Sequence, residues 1–151
     1  LALLVDRPSV LEAVRADRAL VDRAIEESLR LEPSVARVDR YATTDVSIGG
    51  VTIRAGDFVV VSLAAANRDP SVYAAPSEFR LDRGGEPGHI TFVHGPHACL
   101  GAQLARVEAR AAVDAVLDHL PGLRRERGTT GAAVDGIVFR KPRSLPVQWD
   151  V

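Results

Sequence analysis

The sequence predicts a mainly helical α+β domain, and three observations carry that prediction. Apolar residues recur at helical spacing over 19–31 and again over 100–120. Between them, DVSIGGVTIRAGDFVVV alternates apolar and polar residues about Gly49-Gly50, the signature of an antiparallel hairpin. The stretch 67–96 is rich in Pro and Gly and shows no periodicity. A joining segment of that length in a compact domain is usually functional or disordered.

Each element follows in order. Ser9 with Glu12, directly after Pro8, reads as a capping box that starts a short helix ending near Asp17. From Ala19 to Leu31, the residues Val21, Ala24, Ile25, Ser28 and Leu29 make one stripe, and Pro33 closes that helix. Val46 and Ile48 run into the Gly-Gly turn, and Val51 and Ile53 run out of it. Asp57 to Leu63 reads as a third, more buried strand. Leu100, Leu104, Val107, Ala111 and Leu117 line one side of the second long helix, which Pro121-Gly122 stops. Short strands are expected at Ile137–Phe139 and Leu145–Trp149.

Composition bounds the function. The 151 residues make one domain, 46% hydrophobic and 26% charged, as in globular proteins. A net charge of −1 gives no field suited to nucleic acid or an anionic membrane. The single cysteine excludes an internal disulfide and points to a reducing, cytoplasmic compartment. No run of about 18 apolar residues is present, and LALLV is too short for a secretory signal. With no Met and an apolar start, the chain is expected to be a fragment, or a remnant of something longer.

That one cysteine, Cys99, falls in FVHGPHACLGAQLAR, just ahead of a helix. A helix start stabilises a thiolate through its unpaired N–H groups. Gly95 and Gly101 bracket it and permit close approach by something flat, and His94 and His97 lie upstream. The bland alternative is a buried structural cysteine. A nucleophile would need a base and an oxyanion hole that leave no signature here. Zinc would need a fourth ligand beyond His94, His97 and Cys99. Glu27 and Arg30, spaced i, i+3, can pair on their helix, as can Arg110 and Asp114 at i, i+4; such pairs are ordinarily solvated. Arg106 lies one turn before Arg110 and two beyond the cysteine.

Together these pieces resemble the C-terminal part of a cytochrome P-450, a haem-thiolate monooxygenase. Phe92, Gly95, His97, Cys99 and Gly101 match the family signature F-x-x-G-x-[HR]-x-C-x-G, followed by LGAQLARVEAR. EESLR matches its E-x-x-R helix, and AANRDP, GGVTIRAG and FRKPRSLPVQW are similar to the bacterial branch. The resemblance implies that Cys99 ligates the iron of haem b as a proximal thiolate, a ligand that favours O–O cleavage. It implies that Phe92, Gly95 and Gly101 lie against the ring, and that His97 and Arg40 bind its propionates.

Glu27 and Arg30 become a structural pair completed by Arg83, with Arg80 open as the alternative. Ser34, Val35, Ala36, Ile137 and Val138 become pocket residues for a small hydrophobic organic substrate. Arg106 and Arg110 would face an electron donor of ferredoxin or flavodoxin type. The intact enzyme would be a monomer that uses O2. No oxygen-activating residue is visible in residues 1–151, so the chain alone is expected to be inactive. Val93 departs from the pattern, since many bacterial members carry Gly there. Two readings compete: a non-catalytic haem-binding or partner-recruiting module, and a His/Cys metal site unrelated to haem.

Overall fold

Three helices meet at the core of the computed structural model, which describes residues 1–131 and 133–151. After a short α1 (Ala2–Val5), α2 spans Pro8–Ala16 and α3 spans Leu20–Leu31. The long helix Ala102–His119, α5 in chain order, packs across them. Leu4, Leu11, Val14, Val21, Ala24, Ile25, Val113 and Leu117 form one buried cluster. Each such Leu or Val contributes roughly 1.5–3 kcal/mol by leaving water.

The start of α2 differs from the expected capping box. Arg7 is the N-cap, Pro8 occupies the first turn, and no side chain caps the helix. Proline's fixed φ and missing N–H suit that first position, so Ser9 sits one step too far in to act as the cap. The helix still ends at Ala16, with Asp17 extended. α3 ends at Leu31, with Glu32 non-helical ahead of Pro33.

The β structure is made of separate two-stranded ladders. β2 (Val46–Ile48) and β3 (Val51–Ile53) form the expected hairpin. Gly49 and Gly50 both adopt positive φ, 57° and 79°, as a tight two-residue turn requires. The next strand, β4 (Phe58–Ser62), pairs instead with β1 (Arg37–Tyr41), an element the sequence pattern did not reveal. Its expected burial is also corrected. Phe58, Val60 and Val61 are exposed, on both faces of the strand, because no layer among the described residues covers the two-stranded ladder. α4 (Leu63–Ala66) follows, capped by Ser62 Oγ accepting from the Ala65 amide at 3.2 Å.

The C-terminal tail holds β5 (Arg124–Arg125) paired with β8 (Val147–Gln148), and β6 (Val134–Asp135) paired with β7 (Lys141–Pro142). Ile137–Phe139 is a bend, not the expected strand; only Phe139 bridges, to Val35. Gly136 sets that bend at φ 104°, and a Cβ there would come within 1.9 Å of the Phe139 carbonyl oxygen.

A further correction concerns α5. Of the expected apolar stripe only Leu117 is buried; Leu100, Leu104, Val107 and Ala111 are exposed. The helix turns Ala109 and Val113 toward α3, where its contacts lie.

Candidate cofactor site at the cysteine loop

Behind the cysteine loop lies a buried charged knot. Glu27 and Arg30 keep only 4% and 3% of their side chains exposed. Arg30 Nε and Nη2 donate to the two Glu27 carboxylate oxygens at 2.8 and 2.9 Å. Its remaining donors reach the carbonyls of Asn67 and Pro76, both at 2.8 Å, and of Glu78 at 3.0 Å. All five guanidinium N–H groups are thereby satisfied.

Arg83 Nε donates to Glu27 at 2.9 and 3.1 Å, and its other nitrogens reach the carbonyls of Ala74, Ala75 and Glu78. Arg80 gives Glu27 its backbone amide at 2.9 Å, while its side chain turns to Asp82. Burial alone would raise the Glu27 carboxyl. The hydrogen bonds from Arg30, the Arg80 amide and Arg83 outweigh that and hold it below its ordinary value.

The long 67–96 segment is therefore folded around two arginines, which supply the donors its carbonyls lack. A further network escaped the sequence reading. Asn67 is fully buried; its Oδ1 accepts from the Ile90 amide at 2.9 Å and its Nδ2 donates to Thr91 Oγ1 at 2.9 Å. Thr91 Oγ1 in turn donates to the Leu29 carbonyl at 2.8 Å. The only signal was an Asn in AANRDP, and a lone Asn carries no period.

Two residues past that anchor the cysteine loop closes on itself. The Cys99 amide donates to the Phe92 carbonyl at 2.9 Å, and the Ala98 amide to Gly95 at 3.0 Å. Gly95 has φ 87°, and Val93 is forced to φ 61°, a left-handed conformation that a β-branched residue resists. Cys99 is exposed, immediately ahead of α5, whose N-cap is Gly101.

The structure places the other expected residues as follows. His97 and His94 are exposed on the loop and Phe92 is half-buried. Arg40 is exposed on β1, its side chain donating to the Asp39 carbonyl at 2.8 Å. The two expected pocket segments come together: the Ala36 amide donates to Val138 and the Arg140 amide to Ser34, both at 2.8 Å. Val35 bridges Phe139, Ala36 is buried, and Ser34 and Ile137 are exposed. Arg106 and Arg110 are both part-exposed and both paired, Arg106 with Glu26 and Arg110 with Asp22 and Asp114.

The loop has room for a large flat group on the sulfur. A Cβ placed on Gly95 would meet nothing within 4 Å, and one on Gly101 would first meet Cys99 Sγ at 3.9 Å. Leu100 beside it stands wholly in solvent. Among the described residues no group of three or more His, Cys, Asp or Glu side chains is placed to hold a metal ion. A multi-ligand site built from His94, His97 and Cys99 therefore finds no support.

Fold and loop together define a class: an α+β domain that holds a single cysteine outward, with no other ligand gathered on it among the described residues. The cytochrome P-450 family model matches residues 3–121. Cytochrome P-450 105C1 from a Streptomyces species is 46% identical over 123 residues, which cover 81% of this chain and 32% of that protein. The 20-oxo-5-O-mycaminosyltylactone 23-monooxygenase of Streptomyces fradiae is 40% identical over 149 residues, 97% of this chain and 35% of that protein. The crystal structure of P-450BioI in complex with a hexadec-9Z-enoic acid ligated acyl carrier protein matches with a TM-score of 0.84 at 39% identity. The match covers 98% of this chain and 38% of that one. The chain belongs to the cytochrome P-450 family and spans about a third of the length of these relatives. No described helix is long and apolar enough to cross a membrane.

Proposed function

We propose that this chain is the cysteine-ligand part of a haem-thiolate monooxygenase. The observation that carries the reading is Cys99, exposed on a loop closed by its own amide, directly before the first turn of α5. When bound, haem b supplies the redox chemistry by which such enzymes insert one oxygen atom of O2 into a small hydrophobic organic substrate.

The chain's own residues do the holding. Cys99 would offer its sulfur to the haem iron, exposed at the tip of its loop. Phe92, Gly95 and Gly101 leave the face open to a flat ring, and His97 and Arg40 offer donors for two carboxylates. The Glu27–Arg30–Arg83 knot anchors the segment that leads into the loop. Ser34, Val35, Ala36, Ile137 and Val138 line the substrate side. An electron donor of ferredoxin or flavodoxin type docks on the face of Arg106 and Arg110. Both guanidinium groups are already paired there, so their contribution is weak and screened by salt.

The chain by itself is expected not to turn over, and the intact enzyme to be monomeric and cytoplasmic. The test is a reduced carbon monoxide difference spectrum of the haem-reconstituted chain beside Cys99→Ser. A red-shifted Soret band lost in the variant supports the reading. A band unchanged by Cys99→Ser overturns it.

A further inference from the structure

A second set of polar groups, beginning one residue before Glu27 on α3, also reaches the cysteine loop. Glu26, on α3, receives Arg106 of α5 through two bonds, Nε to Oε1 at 2.7 Å and Nη2 to Oε2 at 3.0 Å. The same carboxylate lies 3.2 Å from His89 Nε2. That nitrogen lacks hydrogen-bond alignment with any described group, although the His89 side chain is only 5% exposed. On its other side, His89 Nδ1 accepts from the Thr91 amide at 3.2 Å.

Both side chains flank one ring. Arg106 Cζ sits 4.7 Å from the Phe92 centroid, and the His89 ring lies 5.9 Å from it at a 51° tilt. Phe92 is also the residue whose carbonyl holds the Cys99 amide.

We propose that Glu26, His89 and Arg106 form one clamp on Phe92, and that Arg106 is thereby a positioning residue for the Cys99 loop. Arg106 is then more than a strap between helices. Arg110, one turn on, gives the comparison: it also ties α5 to α3, through Asp22 at 3.0 Å, yet no ring contact of Arg110 is found among the described residues. The meaning of the clamp for a bound haem rests on the proposed function above; the clamp itself does not.

The test therefore uses the chain without haem, and reads hydrogen exchange at the Cys99 amide by NMR, corrected for global stability from urea titrations. Arg106→Ala is expected to speed exchange about tenfold more than Arg110→Ala, the scale of one cation–π contact with its ion pair. Glu26→Gln should move it the same way. Arg106→Lys, which keeps the charge but not the flat stack, should fall between. In a double-mutant cycle with Phe92→Leu, the Arg106 effect should vanish.

Equal acceleration by Arg106→Ala and Arg110→Ala, or full additivity with Phe92→Leu, overturns the proposal. Should Arg106→Ala fail to fold, Arg106→Lys decides: selective loosening of Cys99 supports the clamp, and native protection overturns it. Failure of carbon monoxide spectroscopy to show a thiolate-ligated haem would leave these outcomes untouched.

Discussion

The knot around Glu27 and the outer face of α5 invert the usual rule of charge outside and apolar inside. At the knot, Arg30 and Glu27 are buried and Arg83 is half-buried against them, with every donor of Arg30 used. On α5, Leu104 and Val107 are 61% and 65% exposed beside an exposed Cys99. The first region is complete within these residues. It closes a long irregular segment that has no hydrophobic period of its own. The second is a surface with nothing described against it. Satisfaction by partners, not polarity, decides which residues this chain buries.

The sharpest way to break the comparison is Glu27→Ala. It leaves Arg30 and Arg83 facing each other in a buried site, so unfolding in urea should show a loss of about 3–5 kcal/mol. A loss below about 1 kcal/mol would mean that the carbonyls of 67–78 hold the arginines without the carboxylate.

The next effect is acid sensitivity. The Glu27 carboxyl is held below its ordinary value of 4.5, so the unfolded chain takes up that proton first. Its stabilisation is present above that value and disappears as pH falls through the lowered one. Burial pushes His89 below its usual 6.5 although Glu26 opposes the shift, so its contribution begins to fall as pH drops below 6.5. Stability measured from pH 8 down to about 2 should decline in two stages, the upper one missing in His89→Phe.

Val93→Gly sharpens the comparison from the cysteine side. A left-handed β-branched residue costs about 1–2 kcal/mol, partly offset by the greater freedom of glycine in the unfolded chain. A net gain of about 0.5–1 kcal/mol in urea denaturation is expected, and a loss would show that the Val93 side chain packs usefully. Smallest is Leu104→Ser. On an exposed face it should change stability by less than about 0.5 kcal/mol; a loss beyond about 2 kcal/mol would mean that the face is covered in solution.

Much of this was legible in the order of residues. Periodicity located α3 and α5 to within two residues, Gly49-Gly50 fixed the hairpin, and the spacing of Phe92, Gly95, Cys99 and Gly101 marked the loop, because local patterns encode local geometry. β1 was hidden, since RVDRY alternates weakly and gains its structure only from β4. The α5 face was misassigned because a helical stripe shows which residues share a side and not which side meets another helix.

By itself, then, the sequence determined α2, α3 and α5, the hairpin, the family resemblance and the cysteine on its loop. Tertiary structure alone decided that Arg83 and not Arg80 bonds Glu27 through its side chain, that Asn67 anchors the loop entry, and that Arg106 lies over Phe92. The Arg83–Glu27 and Asn67–Thr91 partners stand 56 and 24 positions apart, and Arg106 and Phe92 belong to different elements. No period in a chain reports contacts whose distance is set by how separate elements pack.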